Sequence, residues 1–275
     1  MKKLSTLTLG LLFAAGSAFA QSNDATVDQT GDNQNANVTQ SGATNTADVD
    51  QFTDNSGAQD AIVIQDGTSN MATVSQSQTG GGNSGGNDAY IEQIGSDNSS
   101  VQTTVAPGYN SGHDLWGFQD GSGNSLTQST SGGYTISVRA EQYGSDNSAT
   151  QTTTGATHAD ADIIQDGENN TAEQTLAGSN NGYQGRVILI DQFGDDNFAS
   201  QNFIGSGFSH GNNGEIIQIG NDNNASQVGN GRNIDLQVTQ DGLGNFSSQS
   251  AFGNAHTSTV TQTGDMNTST VTQSN

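Results

Sequence analysis

The stretch "QDGTSNMATVSQ", residues 65–76, carries the pattern on which the rest of the chain is built. It returns in altered form as "QSGATNTADVDQ" (40–51), "AEQYGSDNSATQ" (140–151), "IDQFGDDNFASQ" (190–201) and "QTGDMNTSTVTQ" (262–273). Counting the glutamine of each Q-x-G as position 0, that position is held by Gln29, Gln40, Gln65, Gln93, Gln119, Gln142, Gln165, Gln192, Gln218, Gln240 and Gln262. Glycine follows at +2, from Gln65 onward as Gly67, Gly95, Gly121, Gly144, Gly167, Gly194, Gly220, Gly242 and Gly264. Asparagine stands at +5 as Asn45, Asn70, Asn98, Asn124, Asn147, Asn170, Asn197, Asn223, Asn245 and Asn267, with Gln34 in its place in the first unit. Position −2 is Val or Ile except at Gly117 and Ala140, and position +7 is Ala or Ser except at Leu126. A second glutamine closes each unit, at +11 in the outer ones (Gln40, Gln51, Gln76, Gln273) and at +9 in the inner ones (Gln102 through Gln249). Self-similarity at so regular a period is the mark of a repeat architecture.

Side-chain parity declares the secondary structure. In "TISVRAEQYG", Ile136, Val138, Ala140 and Gln142 alternate with Ser137, Arg139 and Glu141. A period of two is a strand with one face in and one face out. Between paired strands lies G-x-x-N, where Gly and Asn tolerate positive φ and Asp or Asn bonds its own backbone. Each unit therefore reads as strand, tight turn, strand and a looser turn, the looser turns holding Gly-rich stretches such as 78–88 and 205–214. One such unit cannot bury its inner face alone, so stacking is expected: an all-β solenoid of about ten rungs at ~4.8 Å spacing. Val and Ile would fill a thin core, while glutamine and asparagine would stack on their own kind as amide ladders. The shift of the closing glutamine to +9 predicts a shortened or displaced second strand in the inner units. At +1, Asp66, Ile94, Asp120, Tyr143, Asp166, Phe193, Ile219, Asp241 and Thr263 never place two acids in adjacent rungs, as in-register stacking of like charges would require.

Composition alone points elsewhere. Leu, Ile, Val and Phe make up under a fifth of the chain, which with high net charge is the composition of a disordered protein. Residues 1–20 have the form of a secretory signal peptide: Lys2 and Lys3, a Leu/Ala centre too short to span a bilayer, and Ala18-Phe19-Ala20 for cleavage. The exported part, 21–275, is expected to be a single repeat domain with three arginines, no lysine and 28 acidic residues, a formal charge of −25. Such a surface repels phosphate, which argues against nucleic acid and against insertion into anionic membranes. Cysteine is absent, so no disulfide staples the fold.

Catalytic chemistry finds little to work with. Four histidines (His113, His158, His210, His256) fall in or just after the looser turns and read as solvated turn residues; no nucleophile, metal set or cofactor motif accompanies them. The "GSDN", "GDDN" and "GNDN" turns lack the nonapeptide of calcium-binding β-rolls. Thr-Val-Thr at 259–261 and 270–272 is the pattern of an ice-binding face, but it is confined to one end. Outward Tyr90, Ile94, Trp116, Tyr143, Phe193, Phe198 and Ile219 are candidates for lateral contact or adhesion.

The unit Q-x-G-x-x-N-x-A-x-x-x-Q preceded by alternating Val/Ile resembles the repeats of the curlin family. That resemblance implies a secreted β-solenoid subunit that polymerises outside the cell into curli-like amyloid fibres of biofilm matrix and adhesion. It also implies a nucleating curlin and an outer-membrane secretion channel as partners. Departures are the +9 glutamines and the want of a Gly-rich, Pro-containing leader after the cleavage site. The last repeat carries no Lys or Arg cluster, which favours the major subunit over the nucleator. A first strand near Ala25 and a last one ending at Gln273, both uncapped, would let subunits add head to tail. The rival expectation is a monomeric secreted binding solenoid, adhesin-like or ice-binding, with a ligand face repeated on every rung.

Overall fold

The structure, a computed structural model, describes residues 22–54, 57–79, 86–107, 112–178, 186–205 and 211–275. The expected signal peptide and His210 lie outside the described residues. Among the described residues twenty-one strands follow one another, and there is no helix. They are β1 (Asp24–Thr30), β2 (Gln34–Ala43), β3 (Thr46–Thr53), β4 (Gln59–Thr68), β5 (Met71–Thr79), β6 (Asn87–Ser96), β7 (Ser99–Pro107), β8 (His113–Ser122), β9 (Ser125–Ser131), β10 (Tyr134–Ser145) and β11 (Ser148–Thr154). The second half comprises β12 (Thr157–Glu168), β13 (Thr171–Ala177), β14 (Arg186–Phe193), β15 (Phe198–Ile204), β16 (Asn213–Ile219), β17 (Asn224–Arg232), β18 (Asp235–Asp241), β19 (Phe246–Asn254), β20 (Thr257–Thr263) and β21 (Thr268–Ser274).

Each strand pairs with the strand two places along the chain, always parallel. The odd strands form one sheet of eleven and the even strands a second sheet of ten. The result is a β-solenoid whose two sheets face each other across a thin core. Register is locked to the repeat: Gln119 sits beside Gln142, Gln142 beside Gln165, and the glycines at +2 align likewise.

The tight turn explains why glycine recurs. Gly121 holds φ +135°, and a Cβ there would collide with the carbonyl oxygen of Gly144 in the next rung. The second left-handed residue is at +4, not the asparagine at +5: Asp97, Asp146, Asp196 and Asp222 all have φ near +56°, for example 57° at Asp97 and 55° at Asp146. Aspartate and asparagine accept that conformation more readily than other side chains. The asparagine at +5 is instead tied to its counterparts in neighbouring rungs.

Two of the three exceptions in the apolar pattern prove to be one substitution. Leu126 replaces the small residue at +7, and across the core Gly117 replaces Val or Ile at −2. A Cβ on Gly117 would run into the Leu126 side chain. Phe203, fully buried, is accommodated in the same way by Gly214 and Gly229, one against each side of its ring. Volume is conserved rung by rung because a close-packed interior tolerates neither void nor overlap.

The +1 residues do form one outward column, from Ser41 through Asp66, Ile94 and Asp120 onward. The spacing of acids seen there does not hold over the whole surface. Asp60, Asp88 and Asp114 stand directly beside one another in three successive rungs.

Gly121→Ala is expected to cost about 3 kcal/mol, a left-handed penalty of about 1–2 kcal/mol plus the overpacking against the next rung. Gly155 has φ +62° and nothing within 4 Å of the place a methyl group would take, so Gly155→Ala should cost only about 1 kcal/mol. Denaturant midpoints of the two variants, compared with the parent chain, separate the two effects.

Candidate functional site: amide ladders and the solenoid edges

A buried primary amide has two hydrogens to place, and this chain buries a glutamine in nearly every strand. In the ten-stranded sheet Nε2 of Gln40 donates to Oε1 of Gln65, and the relay continues through Gln93, Gln119, Gln142, Gln165, Gln192, Gln218, Gln240 and Gln262. All nine bonds are 2.8–2.9 Å long. The second hydrogen of each amide crosses the core. Gln119 donates it to the Ser99 carbonyl and Gln142 to the Ser125 carbonyl, each at 3.1 Å, both in the facing sheet. The ladder thus runs along the axis and ties the two sheets together.

The eleven-stranded sheet answers with its own columns. Gln29, Gln51 and Gln76 form one, with bonds of 2.7 Å. Gln29 therefore belongs here, although Q-x-G placed it at the head of the other column. "NDATVDQ" (23–29) repeats "NTADVDQ" (45–51), so β1 is the second half of a unit, with Asn23 at its +5 position. From β7 onward a different column takes over: Gln102, Gln128, Gln151, Gln174, Gln201, Gln227 and Gln249. These too cross the core, Gln128 to the Trp116 carbonyl at 3.0 Å and Gln151 to the Arg139 carbonyl at 2.9 Å.

The inner strands are neither shortened nor displaced, contrary to the expectation from the +9 glutamines. Between β5 and β7 the backbone register continues, with Val74 beside Gln102 and Gln76 beside Thr104. Glutamine has moved to the place of Val74, and the place of Gln76 passes to Thr104, Thr130 and Thr153 and then to Leu176 and Phe203. The move is reversed at the other end, where Gln249 lies beside Val271 and Ala251 beside Gln273.

The asparagines at +5 make a third column at the turn. The backbone N–H of Asn147 donates to Oδ1 of Asn124 at 3.1 Å, its Nδ2 donates to the same oxygen, and Nδ2 also reaches the Gly167 carbonyl at 2.9 Å. The pattern holds for its neighbours Asn98, Asn124, Asn170, Asn197 and Asn223. Asn45, Asn70, Asn245 and Asn267 join the column through their own backbone N–H groups. Thus glycine leaves room for the next rung and asparagine bonds to it.

The ladders have a direction. Every glutamine–glutamine bond is donated to the rung that follows in sequence. At the last rung Gln262 donates to the Phe246 carbonyl and Gln273 to the Thr257 carbonyl, and among the described residues neither has a further glutamine to donate to. At the first rung, Gln29 and Gln40 donate onward and no described glutamine donates to them. Among the described residues β1 and β21 are the outer strands of one sheet, β2 and β20 of the other. One end of the solenoid offers amide donors and the other amide acceptors.

Other sequence candidates occupy different places. His113 is not a solvated turn residue: it begins β8 pointing inward, is fully buried, and neither ring nitrogen has a partner. Burial lowers its pKa to about 4. His158 lies in β12 with φ +51°, and the His256 Nε2 contacts the Phe252 carbonyl at 2.9 Å. Among the described residues no three His, Asp or Glu side chains converge as a metal site. Tyr90 and Trp116 stack on the outer face with centroids 5.9 Å apart, and the Arg139 guanidinium covers Trp116 at 4.9 Å while pairing with Glu141. Burial, then the charges of Asp114 and Asp60, raises the Asp88 carboxyl above its usual range. Burial likewise raises Asp114; burial followed by acidic neighbours raises Asp191, and at Asp162 burial outweighs the lowering by Arg139.

Gln142→Leu would leave the Gln119 amide and the Gln165 carbonyl oxygen buried without their partners. At about 1–3 kcal/mol for each orphaned group, a loss of about 2–6 kcal/mol is expected in denaturant unfolding. His113 is held neutral in the fold, so its stabilising contribution is complete above the unfolded pKa of about 6.5 and is lost as pH falls toward 4. The stability difference between the parent and His113→Leu should therefore move in favour of the variant by up to about 1.4 kcal/mol per pH unit across that window. The raised carboxyls act in the opposite sense, gaining stability for the fold as pH falls through their folded pKa values. A difference that stays flat from pH 7 to 4 would refute the buried neutral imidazole.

A family model described as curlin associated repeat matches residues 20–52, a span that contains β1, β2 and nearly all of β3. No curated protein matches the chain. Over those residues the chain is similar to the repeats of curlin proteins.

Proposed function

We propose that this chain is a secreted curlin, the major structural subunit of an extracellular amyloid fibre of biofilm matrix and adhesion. The observation that carries the reading is the pair of solenoid edges: amide donors of Gln262 and Gln273 at one, acceptors of Gln29 and Gln40 at the other, each beside an outer strand. An edge strand with free N–H and C=O groups is a template for another chain. The parallel, in-register stack already has the geometry of cross-β structure, so a second copy extends the ladders without a change of fold. Its principal partner is itself. A nucleating curlin and an outer-membrane secretion channel complete the expected set. The role is structural rather than enzymatic, and it calls for no cofactor.

Charge sets the conditions of assembly. With a formal charge of −25 on residues 21–275, subunits repel at a distance and growth should accelerate as salt or calcium screens them. The test is to dilute residues 21–275 from denaturant at neutral pH, with and without preformed seeds. Fibres with reflections near 4.7–4.8 Å along the axis and ~10 Å across it, formed faster with seeds and with salt, support the subunit reading. A monodisperse monomer that seeds do not recruit would overturn it.

A further inference from the structure

The strand count imposes a condition on any such fibre. Eleven strands lie in one sheet and ten in the other, and the described solenoid both begins and ends in the eleven-stranded sheet. If copies stack with like sheets aligned, β1 of the incoming copy follows β21, and the ten-stranded sheet is left one strand short at every junction. β20 and the incoming β2 would then face each other across two strand spacings, about 9.6 Å, with their backbone groups unpaired. A half-turn of the incoming copy about the axis removes the gap: β1 follows β20 and β2 follows β21.

That arrangement asks strands of opposite sheets to continue one another, and the terminal rungs are built alike for it. β1 carries Ala25, Val27 and Gln29 on its inward row; β20 carries Ser258, Val260 and Gln262. β2 carries Ala36, Val38 and Gln40; β21 carries Ser269, Val271 and Gln273. The turns match as well. Gly31 and Asn33 between β1 and β2 have φ +119° and +60°, while Gly264 and Met266 between β20 and β21 have +93° and +55°. Inner rungs have no such equivalence. There β8 presents His113, Leu115, Gly117 and Gln119, against Leu126, Gln128 and Thr130 from β9. The move of the closing glutamine from +11 to +9 and back thus makes the two sheets different inside the subunit and interchangeable at its ends.

We infer that successive copies in the fibre are related by a half-turn, so that each fibre sheet alternates eleven and ten strands from successive copies. The inference rests on the polymerising reading above. It pairs Gln262 with Gln29 and Gln273 with Gln40 of the incoming copy, donors to acceptors, and leaves no strand position empty.

Cysteine pairs distinguish the two junctions, since the chain has no cysteine of its own. Asp28, Thr39, Thr261 and Thr272 are exposed and immediately precede Gln29, Gln40, Gln262 and Gln273. Neighbouring parallel strands bring such positions within the Cα separation of about 4.4–6.8 Å that a disulfide spans. Fibres of the double variants Asp28→Cys/Thr261→Cys and Thr39→Cys/Thr272→Cys, oxidised mildly and then dissolved, should run as covalent ladders on a non-reducing gel. Fibres of Asp28→Cys/Thr272→Cys should yield monomer. A ladder from that last variant with monomer from the first two would overturn the half-turn while leaving fibre formation intact. Failure of the parent chain to form seeded fibres would instead remove the polymerising reading, and this inference with it.

Discussion

A glutamine amide buried between two sheets has two N–H groups and one carbonyl oxygen to satisfy, and this fold is organised around that requirement. One N–H runs along the axis to the next glutamine and the other crosses to a backbone carbonyl of the facing sheet. Both conditions hold only if strands are parallel, in register and at a constant distance from their opposites. Parallel pairing, constant register and a thin core therefore follow from a single side chain repeated at one position. An unsatisfied buried amide is costly and a satisfied one modestly favourable, so the arrangement penalises slippage more than it rewards contact. A one-residue slip would turn every ladder outward, and a two-residue slip of β10 would set Gln142 against Gly117 and Ile163.

This explains how a chain with so little aliphatic content folds. Its apolar core is real but interrupted: Val49, Val63, Val74 and Ile91 near one end, and Leu176, Ile188, Phe203 and Leu236 further along. The amide columns fill the space between. Larger apolar groups enter where the closing glutamine has moved to +9 and freed the neighbouring inward site, as at Leu176 and Phe203. Leu126 is matched by Gly117, and Phe203 by Gly214 and Gly229, because a core two side chains thick has little other way to yield.

The strands, their parity and the two-sheet solenoid were legible in the sequence because period two and the Q-x-G-x-x-N unit are local signals. What escaped was whatever depends on how units meet. Gln29 carries the same Q-x-G as Gln65 but lies in the other sheet, since strands of both sheets share the inward triplet of small residue, Val and Gln. Only Asn23, repeating the place of Asn45, marks its true phase. His113 looked like a turn residue because glycines precede it, yet parity with Leu115 and Gln119 places it inside. The stacked Asp60, Asp88 and Asp114 could not be seen from the +1 column, since they belong to another outward row.

The identity of the terminal triplets is itself an argument about assembly. Were the subunit only a monomeric solenoid, nothing in its packing would favour +11 glutamines in the first and last rungs and +9 glutamines between. Inside the chain, connectivity already dictates which strand follows which, so the sheets are free to specialise. Between copies no connection would dictate the order, and the next strand would be chosen by side-chain complementarity alone. An edge that presents small residue, Val and Gln in both sheets accepts a strand of either sheet, which an odd strand count demands. Direction would be preserved in such an assembly, because donors lie at one end of the described solenoid and acceptors at the other. The same amide that sets register within the subunit would then set order between subunits.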